Sequence, residues 1–406
     1  MRILHTSDWH LGRLFHGVHL TEDQAYVLEQ VIDAAGSASP DVVLISGDVY
    51  DRAVPPSEAI SLLDDVISRL VLGLKIPVIM IAGNHDSPDR LAFGSRLMKE
   101  RGFHVAGPFA GSVRPVVLED GDGGVCFYPL PFAEPALMRE KLGEPSLKDH
   151  HSAMRAALDA IRESHPPDSR SVLLAHAFVV GGAESESERP ISVGGAGTVK
   201  ASVFDGFDYV ALGHLHRPQE IGGAKRAGED AARNPGTGAA RNPAAAPIQY
   251  AGSLMKYSFS EAAHEKCVKL VEMDGSGRCE IEKIALRPRY DVRRIAGTLD
   301  QLLKEPSTAE NRNDYLHIDL LDAGAIYDPI GKLREVYPNV LELGRPNLVL
   351  RGEDGRTRYD HREHSESALF KAFYKQTTGE ELSDKQGQAF ASIVDGIRRD
   401  DREAGS

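Results

Sequence analysis

Five short apolar runs of this chain each end in side chains that bind metal ions. The side chains lie in these segments: Asp8-Trp9-His10, Gly47-Asp48-Val49-Tyr50-Asp51, Gly83-Asn84-His85-Asp86, His176, and Gly213-His214-Leu215-His216. Mixed imidazole, carboxylate and amide ligands suit Mn²⁺, Fe²⁺ or Zn²⁺ better than Mg²⁺ or Ca²⁺. Two such ions about 3.5–4 Å apart ionise a water and stabilise both oxygens of an in-line displacement at phosphorus. The pattern therefore predicts a two-metal centre for phosphodiester hydrolysis.

The elements that must position these side chains are short buried strands. The apolar runs span residues 3–6, 42–45, 78–81, 172–174 and 209–212, and amphipathic helical patterns separate several of them. Such alternation favours parallel strands in βαβ units, with helices covering the sheets. Ligand sites of α/β sheets form beyond the carboxyl ends of the strands, so the five segments should meet. Asp8 and His10, two residues apart, should emerge on one face of their strand.

Three helices are predicted in the first hundred residues. Thr21-Glu22-Asp23-Gln24 has the sequence of a capping box, and Gly36 is expected to end the helix that it begins. A second amphipathic pattern follows Ser57, and a third spans residues 91–98.

Composition indicates a cytoplasmic protein without a membrane anchor. No apolar stretch approaches the roughly 18 residues of a membrane span, and Met1-Arg2 leads directly into the first strand without a signal peptide. The 3 cysteines show no C-x-x-C pairing, which argues against a disulfide framework. A net charge of −13 argues against tight DNA binding by this chain alone. It does not exclude DNA as a substrate, because divalent cations and a basic partner would offset it.

The chain divides by composition into four parts. Residues 1–285 carry every metal-type motif, residues 286–350 suggest a small α+β cap domain, residues 351–364 form a charged linker, and residues 365–406 contain two short helices. Residues 222–247 interrupt the first part with a Gly/Ala/Pro/Arg-rich tandem octad. This insertion is either an Arg-bearing arm near DNA or a disordered loop expanded by duplication, and its composition favours the loop.

The two C-terminal helices present more apolar surface than a pair of this size can cover. They either pack on the α+β domain or dock on a partner helix or coiled coil. The residues predicted to contact the partner are Leu369, Phe370, Phe373, Phe390, Ile393, Val394 and Ile397.

The metal-type motifs run D-x-H, G-D-x-x-D, G-N-H-[DE], H and G-H-x-H, and this order resembles the calcineurin-like metallophosphoesterases. Within that superfamily the chain is similar to the SbcD-like nuclease subunits of bacterial SbcCD complexes, over residues 4–12, 46–51, 208–216 and 337–341. The resemblance spans nearly the whole chain, apart from the 222–247 insertion. It implies an α/β fold: a layered β-sandwich flanked by helices, then an α+β cap domain and a C-terminal helix pair.

The resemblance also implies roles for the site residues. Two divalent ions, expected to be Mn²⁺, would have Asp48 as a bridging ligand. The other ligands of one ion would be Asp8, His10 and His216, and those of the second would be Asn84, His176 and His214. His85 would face the scissile phosphate and stabilise charge or protonate the leaving 3′ oxygen. Asp51 would orient His85 and keep it protonated. Arginines that flank the motifs are candidate phosphate contacts, alternatively plain surface charge: Arg13, Arg52, Arg90 and Arg217.

The implied activity is that of a DNA nuclease subunit acting in repair and recombination. It would cut duplex ends in the 3′→5′ direction and act as an endonuclease at hairpins or blocked ends. The implied partners are DNA, an SbcC-type SMC/ABC ATPase, and a second copy of the chain within a heterotetramer. The candidate faces for pairing with a second copy are the apolar sides of the helical patterns at residues 60–72 and 91–98, and the alternative is that these faces are core against the sheet. Two alternatives stay open: a small-molecule phosphodiesterase or phosphatase, and a scaffolding subunit of a DNA-tethering complex.

Overall fold

The computed structural model describes residues 1–191, 197–222, 246–304, 311–324, 326–347, 370–371, 374–375, 381–391 and 393. The chain forms two compact units, Met1–Val292 and Arg293–Ser406. Residues 223–245 of the insertion, the 351–364 linker and most of the C-terminal helix pair lie outside the described residues, so the predictions for them stay predictions.

The structure defines the bounds of nineteen strands and eight α-helices. The strands are β1 (Arg2–Thr6), β2 (Leu14–Phe15), β3 (Val18–His19), β4 (Val42–Ile45), β5 (Val78–Ile81), β6 (Phe103–Ala106), β7 (Val116–Asp120), β8 (Gly123–Leu130), β9 (Arg170–His176), β10 (Phe178–Val179), β11 (Thr198–Val199), β12 (Tyr209–Gly213), β13 (Gln219–Ile221), β14 (Ile248–Tyr250), β15 (Cys267–Met273), β16 (Cys279–Ala285), β17 (Val292–Gly297), β18 (Tyr315–Leu320) and β19 (Val340–Gly344). The α-helices are α1 (Thr21–Ala38), α2 (Ser57–Ser68), α3 (Pro88–Leu91), α4 (Ser95–Met98), α5 (Pro135–Leu142), α6 (His150–Ser164), α7 (Leu299–Lys304) and α8 (Pro329–Arg334).

The first unit is built on two six-stranded sheets. One sheet has the order β16-β15-β1-β4-β5-β6, and the other has the order β13-β14-β12-β9-β8-β7. Four consecutive strands of each sheet are parallel: β1, β4, β5 and β6 in the first, and β14, β12, β9 and β8 in the second. All five predicted strands are present, but they are divided between two sheets.

The sheets pack face to face around a shared apolar core. Ile3 and Leu44 of the first sheet lie in one buried cluster with Phe127 and Leu174 of the second. On the outer face of the second sheet, Leu173 packs with residues of α5 and α6. Both faces of the central strands are therefore buried, which explains their continuous apolar sequences. The predicted layered β-sandwich flanked by helices is confirmed.

The first helix begins and ends differently from the prediction. Thr21 is the first helical residue rather than the cap, Leu20 occupies the cap position without a side-chain cap hydrogen bond, and the helix continues past Gly36 to Ala38. Gln24, the expected capping-box acceptor, instead turns inward, where its amide donates to the carbonyl of His10 at 2.7 Å. The prediction of a capping box is therefore wrong, because the side chain of Gln24 makes tertiary hydrogen bonds instead of a local cap.

The second unit contains a three-stranded sheet of β17, β18 and β19 with α7 and α8. Its core includes Leu316, Ile318 and Leu333. The sequence predicts a short helix over residues 329–337 that begins at an N1 proline. Asp328 caps the observed helix α8, Pro329 is its first residue, and the helix ends at Arg334. Residues 384–391 are helical, and Ser383 donates a hydrogen bond to Gln386 Oε1 at 2.6 Å.

Candidate metal centre

The five motif-bearing segments meet where the carboxyl ends of the parallel strands of both sheets come together. The loops after β1 and β4 run side by side, since the N–H of Asp8 donates to the Gly47 carbonyl at 3.0 Å. In the second sheet, Gly213 at the end of β12 pairs with His176 at the end of β9. A hydrogen bond of 2.9 Å from the N–H of His214 to Asp8 Oδ1 connects the two sheets. Residues up to 206 positions apart thereby line one site.

A first group of donors consists of Asp8, His10 and His216. One ligand atom from each lies within 4.8 Å of the others, and all three residues are buried. The Nε2 atoms of His10 and His216 are 3.0 Å apart. Ser7 Oγ donates a hydrogen bond to Asp8 Oδ2 at 2.7 Å, and this bond restrains the orientation of the carboxylate. The group has the chemistry and spacing of a three-residue metal site.

A second group consists of Asp48, His176 and His214, again with ligand atoms within 4.8 Å of one another. Asn84 adds an amide oxygen, because its Oδ1 lies 2.8 Å from His176 Nε2 and 3.2 Å from His214 Nδ1. The structure thus brings all seven predicted ligands together in two neighbouring groups.

Asp48 lies between the two groups. Its Oδ2 is 3.7 Å from His10 Nε2 in the first group and 3.5 Å from His176 Nε2 in the second. Its Oδ1 accepts a hydrogen bond from the N–H of His85 at 2.9 Å. A carboxylate in this position can contact an ion on either side, as the bridging role requires.

The lone pairs of these donors point at one another, which fits a site for cations. His176 Nδ1 donates to the Ser46 carbonyl at 2.9 Å, so in a neutral ring the Nε2 lone pair faces the Asn84 oxygen and the Asp48 carboxylate. His216 Nδ1 is likewise engaged, by Ser187 Oγ at 2.5 Å, and its Nε2 faces that of His10. Acceptors that converge in this way repel unless a proton or a cation lies between them, and a divalent ion can take that place.

The backbone around the donors is unusual in two respects. Four predicted ligands have positive φ angles: Asp8 at 53°, His10 at 47°, Asp48 at 49° and His214 at 108°. Asp8 and His10 therefore do not share a face by strand alternation, because β1 ends at Thr6 and both residues turn in the left-handed region. Gly213 is required for a different reason, since a Cβ there would lie 2.0 Å from the Ser46 carbonyl oxygen. Strain of this kind is typical of functional sites.

His85 lies beside both groups. Its Nε2 is 4.0 Å from Asp48 Oδ2, and its Nδ1 donates to the main-chain carbonyl of Asp51 at 2.8 Å. Asp51 thus contacts His85 through its main chain, while its carboxylate accepts from Arg13 Nη1 at 2.9 Å and lies 3.5 Å from His10 Nδ1. His10, Asp51 and His85 form a third group of donors within 4.8 Å, so His10 belongs to two groups.

Family comparison agrees with this geometry. Residues 1–218, just over half of the chain, match the family model of calcineurin-like phosphoesterases. The chain belongs to the calcineurin-like phosphoesterases. Residues 288–378 of this phosphoesterase match a second family model, SbcD_C, described as the type 5 capsule protein repressor C-terminal domain. The pair of matches is consistent with an SbcD-type nuclease subunit.

Solved structures similar to this phosphoesterase include three proteins of low sequence identity. A 5′-nucleotidase precursor from Thermus thermophilus is 15% identical with a TM-score of 0.35, over 71% of this chain and 54% of that protein, so the chain spans about half its length. A dimetal phosphatase from Danio rerio is 12% identical with a TM-score of 0.40, over 71% of this chain and 96% of that one. GAP50 of Plasmodium, the anchor in the inner membrane complex, is 10% identical with a TM-score of 0.38, over 85% and 96%.

Burial and mutual charge shift the pKa values of the phosphoesterase's donors. Burial raises the pKa of Asp8 to about 6 and lowers that of His10 to about 3. Burial acts to lower the pKa of His176, but the Asp48 carboxylate outweighs it and raises the value to about 9. Burial acts to raise the pKa of Asp48, and His176 outweighs it and holds the value well below its usual range. The metal-free centre therefore carries a His176–Asp48 ion pair at neutral pH.

Sequence reasoning missed several residues that organise the centre of this phosphoesterase. Asp86, inside a recognised motif, accepts hydrogen bonds from the N–H groups of Gly83 at 2.9 Å, Tyr50 at 2.9 Å and Val49 at 3.1 Å, and so joins the loops after β4 and β5. The residues around His216 are Ser187, Glu188, Glu261 and Lys266. Asp86 could have been found from its motif, whereas the other four carry no local signal.

The four flanking arginines differ in their surroundings. Arg52 and Arg217 are exposed, and Arg90 is exposed with one hydrogen bond to the Ala53 carbonyl at 3.1 Å. Arg13 is half-buried between Asp51, the Ser187 carbonyl and the ring of Tyr257. Arg13 thus has internal partners, while Arg52 and Arg217 keep their charge at the surface.

Among the described helices of the phosphoesterase, none combines the length and the apolar composition needed to cross a lipid bilayer.

Proposed function

We propose that this phosphoesterase is the metal-dependent nuclease subunit of a DNA-processing complex. It cleaves duplex ends in the 3′→5′ direction and cuts hairpins and blocked ends, in repair and recombination. The observation that carries the proposal is the SbcD_C match at residues 288–378, on a chain whose phosphoesterase donors form two groups around Asp48. A free-standing phosphatase needs no such additional domain.

The residues around Asp48 suit hydrolysis of a phosphodiester. Two divalent ions, which we propose to be Mn²⁺, supply an activated water and neutralise charge that develops at phosphorus. Asp48 is shared between the two donor groups, as a bridging ligand would be. His85 takes no place in either group of the two-ion assignment, and its Nδ1 is held by the Asp51 carbonyl at 2.8 Å. In the imidazolium form of His85, Nε2 would carry the proton that passes to the leaving 3′ oxygen.

We also propose that the partners are DNA and an SbcC-type SMC/ABC ATPase. The predicted partner-binding residues that the structure describes are Phe370, Phe390 and Ile393; Phe370 stacks on Phe390 at 3.9 Å between ring centroids, and Ile393 is 62% exposed. Leu369, Phe373, Val394 and Ile397 lie outside the described side chains. Arg52 and Arg217, which are exposed beside the centre, are the arginines best placed to contact DNA phosphates.

A second copy of the chain is the proposed occupant of an apolar groove on the phosphoesterase unit. The groove, of about 470 Å³, is lined by residues of α2, α3, α4 and the π-helical turn Arg69–Gly73 that follows α2. Phe93 is 86% exposed and Leu97 is 84% exposed at its rim. Apolar side chains exposed to this extent beside a groove are typical of a protein interface. The expected assembly is a homodimer within a heterotetramer.

The test is cleavage of end-labelled hairpin and linear duplex DNA in Mn²⁺, with and without the ATPase partner and ATP. The His85→Gln variant should bind metal and fold normally but lose cleavage by at least about 100-fold, the usual contribution of a general acid. His151→Gln, the same substitution on α6, is the matched control and should cleave normally.

Three outcomes separate the proposal from its alternatives. Nucleolytic products that depend on His85 support the nuclease, and stimulation by ATP supports coupling to the partner. Hydrolysis of small phosphodiesters alone, unaffected by the partner, would make the chain a small-molecule phosphodiesterase. Intact partner binding without any metal-dependent cleavage would make it a scaffold.

A further inference from the structure

His216 is held on three sides by residues outside the family motifs. Its Nδ1 lies 2.5 Å from Ser187 Oγ. Its N–H donates to Glu188 Oε1 at 2.8 Å, and its carbonyl accepts from Lys266 Nζ at 2.8 Å. Both the backbone and the ring of this ligand are therefore fixed by neighbouring side chains.

The contacts continue beyond His216 as a chain of buried polar groups. The Ser187 hydroxyl donates to Glu261 Oε1, and Lys266 Nζ donates to Glu261 Oε2 at 2.5 Å. Ser187, Glu261 and Lys266 are all buried. Lys266 Nζ also donates to Ser253 Oγ at 2.8 Å, which completes three hydrogen bonds to its ammonium group. Buried charges are retained in proteins when they are paired and hydrogen-bonded in this way.

The order of donors and acceptors in this series of hydrogen bonds determines where the protons lie. Lys266 has only donors, and the ionised Glu261 has only acceptors. The Ser187 hydrogen is therefore directed at Glu261, and the oxygen of Ser187 is left to accept from His216 Nδ1–H. The lone pair of a neutral His216 then lies on Nε2, which faces Asp8 and His10 in the first donor group.

We propose that Ser187, Glu261 and Lys266 are positioning residues that hold His216 in its Nδ1-protonated tautomer and so set the affinity of one of the two metal ions. The proposal rests on the two-ion centre proposed above. Partners behind a metal-binding imidazole fix its ring and its basicity, and their removal typically weakens metal binding about 10–100-fold.

The second donor group is arranged differently, so the proposed effect on metal affinity should be limited to the ion of the first group. His176 Nδ1 donates to a main-chain oxygen, that of Ser46 at 2.9 Å. That partner is present whatever side chain occupies position 46, whereas the nearest partner of His216 Nδ1 is a side chain, Ser187 Oγ at 2.5 Å, with Glu261 Oε1 at 3.4 Å behind it. The three positioning residues should therefore control the ion of the first group and leave the ion of the second group unchanged.

The experiment measures Mn²⁺ binding to the full metal-free chain by calorimetry, without DNA or partner. Ser187→Ala removes the acceptor, Ser187→Thr keeps a hydroxyl, and Ser187→Cys keeps the shape with a weak acceptor. Ser171→Ala deletes another buried serine hydroxyl, one that contacts Asp208 on the second sheet, and is the matched control. Long-range ¹H–¹⁵N spectra of histidine-labelled protein report the tautomer of His216, assigned by comparison with His216→Gln.

The wild-type chain should bind two ions and show the Nδ1-protonated tautomer of His216. Ser187→Ala should bind one ion about 10–100-fold more weakly, keep the other affinity and show a mixture of tautomers. Threonine should restore both readouts, cysteine should give intermediate values, and Ser171→Ala should match wild type. If the alanine variant does not fold, the graded threonine and cysteine variants decide.

Two results would overturn the inference in different ways. If a folded Ser187→Ala or Ser187→Cys protein keeps both metal affinities and the tautomer of His216, the hydrogen bonds behind His216 have only a structural role. Equal weakening of both ions would show that it is not selective for the first group. A wild-type chain that binds no Mn²⁺ would instead remove the proposed two-ion centre itself, irrespective of Ser187.

Discussion

At the scale of single residues, the protonation of His176 decides how the metal centre responds to pH. Its raised pKa, about 9, comes from the Asp48 carboxylate, and the pKa of Asp8 is raised to about 6 by burial. Metal ligands must be deprotonated, so an ion that enters below pH 9 has to displace the proton of His176. Below about pH 6 it also competes with the proton of Asp8.

We therefore predict that Mn²⁺ affinity rises steadily between pH 6 and pH 9. The metal-free protein should show the opposite trend, because a histidine whose pKa is raised on folding stabilises the fold at low pH and loses that contribution as pH rises through about 9. Calorimetry in two buffers of different ionisation enthalpy counts the protons released. Binding without proton release at pH 7 would contradict the assignment of a protonated His176.

At the scale of elements, a buried ion pair joins the strands β7, β8 and β9 of the second sheet. Arg170 begins β9 and is almost fully buried, and both its terminal nitrogens donate to the Asp120 carboxylate at the end of β7. Arg170 also donates to the Gly123 carbonyl of β8 at 2.8 Å. The pair thereby connects three consecutive strands of the sheet whose strands β9 and β12 lead to the predicted ligands His176 and His214.

Asp120→Ala should lower the free energy of unfolding by about 3 kcal/mol, because it leaves the buried Arg170 charge without its partner. Arg170 holds the pKa of Asp120 well below its usual range. The stabilisation should thus be present above about pH 4 and be lost as pH falls further. Urea unfolding across pH measures both effects. Glu119→Ala, an exposed neighbour on the same strand, is the control, and equal losses in the two variants would refute the role of the pair.

At the scale of the whole molecule, the two most exposed large apolar side chains described in the first unit, Phe93 and Leu97, line the groove of α2, α3 and α4. Ile60, Leu72, Phe93 and Leu97 belong to the large apolar residues that remain exposed and that line this groove. The predicted alternative, that these faces are packed on the sheet, applies only to their inner residues such as Leu63 and Val66, which are buried. The outer residues are free to contact a second copy.

Leu97→Glu should convert the proposed homodimer to a monomer, since it places a charge in an apolar interface. Light scattering coupled to size-exclusion chromatography measures the mass directly. Val117→Glu is the matched control, because Val117 is 54% exposed on β7, outside the groove. A wild-type chain that is already monomeric, or a Leu97→Glu dimer, would rule out this face as the interface.

Much of the fold and of the candidate metal centre could be predicted from the sequence, because apolar runs and the motifs that follow them are local patterns. The strand at residues 42–45 is predicted to the residue, and Pro329 correctly begins α8. The seven predicted ligands each follow an apolar run within a few positions, and the structure places their donor atoms in two neighbouring groups. The capping box at Thr21 failed, since Gln24 is committed to the distant carbonyl of His10.

The chain by itself determined which side chains are available for metal binding and where each strand ends. Only the tertiary structure decided that the strands divide between two sheets, that the Asp51 carbonyl rather than its carboxylate contacts His85, and that Ser187 and Glu261 support His216. The reason is physical. Strand pattern and ligand chemistry are properties of neighbouring residues, whereas these hydrogen bonds join residues that lie 29–74 positions apart in the sequence. Their partners are chosen by packing of the whole sandwich, which no local pattern records.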